Sequence, residues 1–290
     1  MATQTALFED LSPDKPRSRK QTPPNEISAP LWTADKAALI DEYIHHFLLV
    51  TRHGVYLDLF AGPQRAEDTE NWSVRRVLER RTHGNPAIGH YAVCDQDPQQ
   101  AQRLRDLGKK HEAFHVYEGD ANDCIHKMLK DAPINPKKAC FCLIDQRTFE
   151  CHWSTVQAIA RHKREGYKIE VFYFLAQGWI DRAWASTTDK ARLAAWWGNE
   201  NYEEFRDLSS VERARMLCRR FREELDYSYA DPFSIHEKGH GSRTMYYMIH
   251  ASDHPEACKL MSRAHQQVQR KKTGIAVVPL PFVKSESRGL

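Results

Sequence analysis

The sequence predicts an α/β fold with one mostly parallel sheet, helices on both faces and a terminal antiparallel hairpin. Three observations predict it. Five short apolar segments alternate with charged, helix-like segments between residues 55 and 175, and continuous apolar strands of this kind are buried on both faces of a parallel sheet. Two further strand-like segments flank the turn-forming residues KGHGS at 238–242. A segment rich in Trp, Arg and Glu separates the two groups.

The predicted elements follow in chain order. A helix is predicted over 31–52, because apolar residues recur there at helical spacing: Leu39, Ile40, Tyr43, Ile44 and Phe47. Strands are predicted at 55–60, 88–94, 113–118, 139–145 and 169–175, with helices at 72–81, 98–110, 122–131 and 152–165. The hairpin strands are predicted at 231–237 and 243–250, and a last helix at 253–270.

These elements predict four parts of the chain. Residues 1–30 are rich in Pro, Ser and basic residues without periodicity, which is typical of a disordered segment. Residues 31–180 form a Rossmann-like cofactor domain, and 181–230 form a helical insert. Residues 231–290 supply the hairpin and helix that complete the sheet; the apolar stretch GIAVVPLPF at 274–282 has no assigned role.

Five βα steps closed by a β-hairpin are the layout of the class I methyltransferase sheet, a three-layer sandwich in which the last strand turns antiparallel. A dehydrogenase-type sheet would continue with parallel strands instead. The hairpin favours the methyltransferase layout, but both the hairpin and the strand order are inferred from the sequence at this point.

Composition excludes some classes of protein. The 290 residues are 41% hydrophobic, with a net charge of +3 that does not by itself indicate nucleic-acid binding. No apolar run has the length of a membrane span, and no secretory signal opens the chain. The odd number of cysteines, seven, favours a reduced cytoplasmic protein. We predict no metal site, because the only close cysteine pair, Cys140 and Cys142, lies along one strand and no histidine pair has ligand spacing.

Acidic residues recur where the first four predicted strands end, at Asp58, Asp95, Asp120 and Asp145. Ligands of open parallel sheets bind beyond these ends, near the point where the strand order reverses. An acid after the second strand can accept two hydrogen bonds from a ribose diol, and one after the third can accept from the adenine amine. The alternative role of Asp120 is a helix cap, and neighbouring Asp97 before a proline is predicted to be a cap.

The segment after the first predicted strand, LFAGP at 59–63, predicts a ligand loop or a plain turn. Gly62 lets the backbone approach a ligand that a side chain would exclude. Gln64 stands where a pyrophosphate-binding fingerprint would have a third glycine. The loop therefore does not indicate a dinucleotide site.

Four segments resemble the three-Cys-motif partner (TcmP) family: LWTADKAALIDEYIHHF, VYLDLFAGPQRAED, FCLIDQRTFECHWSTVQAIA and MYYMIHASDHPEACKLM. The resemblance spans about residues 31 to 265. It implies a fold similar to that of class I S-adenosylmethionine-dependent methyltransferases and S-adenosylmethionine as cofactor. It also implies a partner, a three-cysteine protein that resembles radical S-adenosylmethionine enzymes and photoproduct lyases.

The resemblance also implies roles for individual residues. The implied cofactor loop comprises Asp58, Phe60, Ala61, Gly62 and Pro63. Asp95 matches the ribose acid, Asp120 the adenine contact and Asp145 the fourth-strand position that carries an acid or asparagine in amino-methyltransferases of nucleic acids. Phe149 is implied to hold the acceptor base, one place later than the aromatic residue of those enzymes. The chain also departs from the family pattern at Gln64, and at Gln146 and Arg147, where proline and an aromatic are frequent.

Candidate nucleic-acid contacts are Arg147, Trp179, Arg182, Arg219 and Arg220. Trp179 could stack on a base and Arg182 could bind phosphate or pair with Asp181. Arg219 and Arg220 lie in the run RARMLCRRFREE, which could form a basic, aromatic surface together with Trp196 and Trp197. The alternatives are core packing for the tryptophans and a solvated helix face for the arginines.

These patterns leave three hypotheses about function. The first is an S-adenosylmethionine-dependent methyltransferase acting on nucleic acid, with Asp145 orienting the acceptor. The second is a catalytically inactive methyltransferase-fold protein that docks the three-cysteine partner or nucleic acid. The third, a nuclease or hydrolase, would require a metal ion at the strand-end acids.

Overall fold

A computed structural model describes residues 31–63, 69–80, 86–237 and 243–273. Four features predicted or noted from the sequence lie outside these residues: the disordered segment 1–30, Gln64, the hairpin turn at 238–242 and the apolar stretch 274–282. The chain from Leu31 onward forms one compact unit. The finer division of this unit at residues 180 and 230 stays a prediction.

The described residues alternate between strands and helices. The strands are β1 (His53–Asp58), β2 (Ala87–Asp95), β3 (Phe114–Glu118), β4 (Cys140–Ile144), β5 (Glu170–Leu175), β6 (Tyr229–His236) and β7 (Thr244–Ser252). The helices are α1 (Leu31–Thr51), α2 (Ser73–Glu79), α3 (Pro98–Gly108), α4 (Ala121–Asp131), α5 (Trp153–His162), α6 (Gln177–Ser186), α7 (Lys190–Trp197), α8 (Glu203–Arg206), α9 (Ser210–Glu223) and α10 (Ala257–Thr273), with a short 3₁₀ turn at Glu200–Tyr202. No helix within this part of the chain has both the length and the apolar character needed to cross a membrane.

The seven strands form one sheet in the order β3-β2-β1-β4-β5-β7-β6. Strands β1 to β5 are parallel, whereas β7 runs antiparallel to both β5 and β6. This order confirms the class I methyltransferase layout, and the dehydrogenase alternative is wrong. The order reverses between the adjacent strands β1 and β4, where Leu57 is paired with Cys142. A ligand site is therefore expected beyond the carboxyl ends of these two strands.

Helices cover both faces of the sheet, as predicted. Successive residues of β1 point to opposite faces, so Tyr56 joins one core and Leu57 the other. The core around Tyr56 is covered by α1, α2 and α10, and the predicted apolar stripe of α1 is fully buried in it. The core around Leu57 is covered by α4, α5 and the helices between β5 and β6.

Helix α1 is joined to the sheet by polar contacts as well as by its apolar stripe. The Tyr43 hydroxyl donates a hydrogen bond to the carboxylate of Glu170, at the start of β5, and His250 of β7 contacts the same carboxylate. All three side chains are buried. Because buried charge requires hydrogen-bonding partners, this group fixes where α1 crosses the sheet.

The helices between β5 and β6 bury most of the aromatic residues that the sequence placed on a surface. Trp196 and Trp197 are 1% and 4% exposed. The Trp196 indole N–H donates to the Tyr173 hydroxyl at 2.8 Å, and both rings pack around Phe205. The predicted basic, aromatic surface that includes these two tryptophans is therefore wrong, because they anchor the insert to the sheet.

Arg220 is also misplaced by the sequence prediction. It is 7% exposed, and its guanidinium carbon lies 3.9 Å from the Trp153 ring centroid and 4.1 Å from that of Trp197. Two of its nitrogens contact the Glu224 carboxylate at 2.6 and 2.9 Å. Arg220 therefore links α9 to α5 and α7, whereas Arg219 on the same helix is exposed as predicted.

The packing of Arg220 between Trp153 and Trp197 predicts that substitutions at Arg220 and at its neighbour Arg219 affect stability differently. Arg220→Ala should lower the free energy of unfolding by about 2 kcal/mol or more, because it removes a desolvated cation–π contact with two indoles. Arg219→Ala, the matched control, should change it by less than about 0.5 kcal/mol. Urea denaturation followed by tryptophan fluorescence measures both. Equal losses in the two variants would contradict the packing described for Arg220.

Candidate active site

A cleft of about 720 Å³ lies at the carboxyl ends of β1 to β4. It therefore occupies the position beyond the reversal of strand order where open α/β sheets bind ligands. Its volume is in the range typical of small-molecule sites. The predicted site residues that line it are Phe60, Gly62, Pro63, Asp95, Asp120, Asp145, Arg147 and Phe149.

The loop after β1 is fixed from two sides. The Ala61 amide donates to the Cys94 carbonyl at 2.8 Å, which ties the loop to β2. The Trp72 indole donates to the Ala61 carbonyl at 2.5 Å, which ties the loop to the segment before α2. Ala61 is buried by these contacts, and Gly62 and Pro63 follow at the cleft wall.

Gly62 and Asp95 approach closely across the cleft floor. The Gly62 amide donates to Asp95 Oδ2 at 2.9 Å, and the Asp97 amide donates to Oδ1 at 2.9 Å. A Cβ atom on Gly62 would lie 2.4 Å from Asp95 Oδ2 and 2.7 Å from Gln100 Cβ. Only glycine fits here without displacing Asp95. Burial raises the pKa of Asp95, and the two amide hydrogen bonds oppose that rise.

Asp97 and Asp120 both cap helices. Asp97 accepts from the Gln99 amide at 2.8 Å at the start of α3, as predicted. Asp120 accepts from the Asn122 amide at 2.7 Å at the start of α4, which confirms the alternative role given to it. Asp120 also lines the cleft and is exposed, so the predicted adenine contact remains a prediction.

Asp145, just after β4, forms a buried ion pair that the sequence analysis missed. Lys36 Nζ of α1 lies 2.9 Å from Asp145 Oδ1 and 2.7 Å from Oδ2. The side chains are 3% and 13% exposed. The ammonium also lies 5.5 Å from the Phe174 ring centroid and 5.1 Å from that of Tyr246. The sequence does hold a sign of this pair, because a lysine interrupts the apolar stripe of α1 three residues before Leu39.

Burial and mutual attraction act in opposite directions on the pKa of each member of the pair. Burial is the largest influence on Lys36 and lowers its pKa, but attraction to Asp145, with smaller effects of Tyr246 and Asp58, brings the pKa above its ordinary value. Burial raises the pKa of Asp145, and the Lys36 ammonium opposes that rise. Contact of the ammonium with both carboxylate oxygens favours the ion pair over the neutral form.

Asp58 lies close to this pair, at the end of β1. It is 1% exposed; Oδ2 accepts from the Tyr56 hydroxyl at 3.0 Å and Oδ1 from the Phe60 amide at 3.3 Å. Burial and repulsion by Asp145 raise the pKa of Asp58 to about 7. Asp58 and Lys36 line a small cavity of about 30 Å³ that shares Asp145 and Phe60 with the main cleft. The predicted loop acid thus supports the cleft from beneath.

Phe149 does not offer an open ring face. It is 1% exposed, and its ring packs edge-to-face against Trp184 at 5.5 Å and Trp196 at 4.9 Å. The prediction that this ring holds an acceptor base is wrong, because helices of the insert cover it. The Phe149 carbonyl instead accepts from Arg192 Nε at 3.1 Å, which joins the loop after β4 to α7.

Gln146 explains one departure from the family pattern. It is 1% exposed, and its Oε1 accepts from the amides of Glu150 and Cys151 at 3.2 and 3.0 Å. The loop after β4 is therefore shaped by a buried amide side chain where the family pattern has proline. This contact, like the role of Arg192, could not be predicted from spacing because it depends on how the loop folds back.

The predicted nucleic-acid residues do not form one surface. Arg147 is exposed and lines the cleft. Trp179 is half-buried and packs against Tyr246, with the ring centroids 5.3 Å apart. Arg182 is exposed on α6, and the possible pairing with Asp181 is wrong because Asp181 pairs with Arg213 at 2.7 Å.

Comparison with known proteins gives similarities of fold. No protein-family model matches the chain, and no curated protein matches it.

Three solved structures are similar to it in part. TYW2 of M. jannaschii in complex with AdoMet has a TM-score of 0.41 and 10% identity over 78% of each chain. An O-methyltransferase from Bacillus cereus in complex with SAH has a TM-score of 0.40 and 10% identity over 79% of this chain and 83% of that one. Trm5b from Pyrococcus abyssi has a TM-score of 0.33 and 14% identity over 71% and 46%. Since every score lies below 0.5, the fold assignment rests on the strand order of this chain.

The ion pair predicts non-additive effects on stability. Lys36→Met and Asp145→Leu should each lower the free energy of unfolding by about 3 kcal/mol, because each leaves one buried charge without its partner. The double variant should recover at least about 1 kcal/mol of the summed loss, since a buried pair can be replaced by apolar side chains at little cost. Urea denaturation of the four proteins completes the cycle. Strictly additive losses would show that the two charges do not interact.

Proposed function

We propose that this chain is an S-adenosylmethionine-dependent methyltransferase. The observation that carries the proposal is the geometry at the end of β2, where the Gly62 amide holds Asp95 at the floor of the cleft. An acid held there can accept hydrogen bonds from a ribose diol, because each of its oxygens keeps a free lone pair. The strand order and the missing third glycine at Gln64 favour a nucleoside cofactor over a dinucleotide.

The other cleft residues fit such a cofactor. Asp120, at the end of β3, is proposed to contact the adenine, and Gly62 and Pro63 line the same cleft as Asp95 and Asp145. Carboxylates dominate the charged lining, which complements a ligand with a sulfonium and an ammonium group. When bound, S-adenosylmethionine supplies an electrophilic methyl group.

Asp145 is proposed to orient the acceptor. Lys36 holds the carboxylate in place from the buried side, so a lone pair on the cleft side can accept a hydrogen bond from the acceptor. Methyl transfer needs little acid–base help, so positioning and electrostatics would supply most of the rate enhancement. Phe149 is not part of this proposal.

Two finer parts of the hypothesis have separate support. Membership of the TcmP family, and with it the three-cysteine radical-SAM-like partner, is supported by the four quoted segments. Nucleic acid as acceptor is supported by the exposed Arg147 in the cleft, with Arg182 and Arg219 exposed elsewhere.

A second candidate function is a catalytically inactive module that docks the partner or nucleic acid. Contact of one ammonium with both Asp145 oxygens favours it, since this leaves the carboxylate fewer free acceptor positions. The covered ring of Phe149 favours it as well.

Cofactor binding separates the two candidates. Titration calorimetry of the wild type with S-adenosylmethionine and S-adenosylhomocysteine should give dissociation constants in the micromolar range, about −8 kcal/mol. Asp95→Ala should weaken both at least about tenfold by removing the ribose acceptor. Gly62→Ala should do the same, because the added Cβ displaces Asp95.

Asp123→Ala serves as the control, since Asp123 is an exposed residue of α4 that does not line the cleft. Its affinities should equal those of the wild type. If the wild type binds neither ligand, the docking function replaces the methyltransferase proposal. If Asp95→Ala binds as the wild type does, the ribose role of Asp95 is refuted.

A further inference from the structure

One wall of the cleft combines two parts of the chain that are distant in sequence. One part is the loop after β4, with Arg147, Phe149 and Glu150. The other is the start of α7, with Asp189 and Arg192. The insert therefore belongs to the cleft itself and contributes charged side chains to it.

One hydrogen bond joins the two parts of this wall, and a second caps α7. Arg192 Nε donates to the Phe149 carbonyl at 3.1 Å, and the Arg192 amide donates to Asp189 Oδ1 at 3.1 Å. The first bond uses one edge of the guanidinium, so its two terminal amino groups remain to bind a ligand. The Arg147 amide donates to Glu150 Oε2 at 2.7 Å, so the Glu150 carboxylate is held by the backbone of its own loop.

Arg147 lines the cleft together with Asp95 and Asp145. Burial raises the pKa of both Asp95 and Asp145, and the positive charge of Arg147 opposes that rise in each. The Arg147 charge therefore acts on both of these carboxylates. Within the described residues, neither Arg147 nor Arg192 forms an ion pair with a carboxylate within 4.0 Å.

This arrangement is notable because the cleft is rich in acids. Six carboxylates line it: Asp95, Asp97, Asp120, Asp145, Glu150 and Asp189. An anionic acceptor would be repelled by this lining unless fixed cations met it at the entrance. A guanidinium suits that task, because its planar array of donors matches two oxygens of a phosphate.

We propose that Arg147 and Arg192 form a phosphate-binding site at the acceptor side of the cleft, which takes a phosphodiester of a single-stranded nucleic acid. The inference rests on the proposed methyltransferase function and names its acceptor class. It places the nucleic acid at the cleft wall, between the loop after β4 and α7. Single-stranded substrate fits a reacting atom that must lie within a cleft next to Asp145.

Binding of a short fluorescein-labelled single-stranded oligonucleotide, measured by anisotropy with saturating S-adenosylhomocysteine, tests the proposal. Arg147→Gln and Arg192→Gln should each weaken binding about tenfold. Each should also lower the slope of log affinity against log salt by about one phosphate contact. Arg161→Gln is the matched control. Arg161 is exposed and lies about 12 Å along α5 from Trp153, the first residue of that helix, and so at the end away from the cleft. Unchanged affinity in both cleft variants would overturn the proposal.

A second titration separates the acceptor phosphate from the cofactor's own carboxylate. S-adenosylhomocysteine carries that carboxylate, and 5′-methylthioadenosine lacks it. We expect both ligands to bind Arg147→Gln as they bind the wild type. Weaker binding of S-adenosylhomocysteine alone would assign Arg147 to the cofactor and overturn the proposal.

The two levels of inference can fail separately. If the wild type binds the oligonucleotide through both arginines but neither S-adenosyl ligand, the phosphate site stands and the methyltransferase function falls. If the S-adenosyl ligands bind but the oligonucleotide binds equally to all variants, the methyltransferase function stands and the phosphate site falls.

Discussion

The buried ion pair between Lys36 and Asp145 is the interaction on which the geometry of the candidate site depends. A lysine that is 3% exposed needs a compensating charge, and Asp145 at the end of β4 supplies it. Two helical turns further along α1, Tyr43 binds Glu170 at the start of β5. Asp145 follows the carboxyl end of β4, whereas Glu170 lies at the amino end of the neighbouring strand β5. The two contacts therefore fix both the position and the direction of α1. Helix α1 thereby lines the small cavity that contains Asp58 and adjoins the cleft at Asp145.

The acids at the strand ends have different environments and therefore different roles. Asp58 is buried, and its pKa is raised first by that burial and then by repulsion from Asp145. Asp95 is partly exposed and fixed by two backbone amides, which leaves it able to accept from a ligand. Asp120 caps α4 through one carboxylate oxygen and also lines the cleft. Four acids in equivalent sequence positions are thus a buried support, an amide-bound carboxylate at the cleft, a helix cap and one half of a buried ion pair.

The fold class and the acids at the strand ends could be predicted from the sequence. The fold class follows from apolar periodicity, and the acids could be recognised because the carboxyl ends of parallel strands lie on the same side of the sheet. It did not predict Lys36, since a single charge on an apolar stripe becomes meaningful only when its partner, 109 residues away, is known. The prediction that Arg220 and Trp197 lie on a nucleic-acid surface was wrong for the opposite reason. Their residue types are typical of a nucleic-acid surface, but both side chains are buried and pack against each other, so the same chemistry serves packing. The predicted role of Phe149 was wrong because the ring is covered by helices of the insert, which the motif around Asp145 does not include.

The insert and the sheet together make a cleft that is acidic on its floor and carries arginines on one wall, which is suited to a cationic cofactor beside an anionic acceptor. The central claim is that this cleft holds S-adenosylmethionine with its ribose at Asp95. A crystal structure of the protein grown with S-adenosylhomocysteine tests it most directly. The account predicts the ribose hydroxyls within hydrogen-bonding distance of the Asp95 carboxylate and the sulfur turned towards Asp145. A ligand bound elsewhere, or a cleft without ligand at saturating concentration, would contradict it.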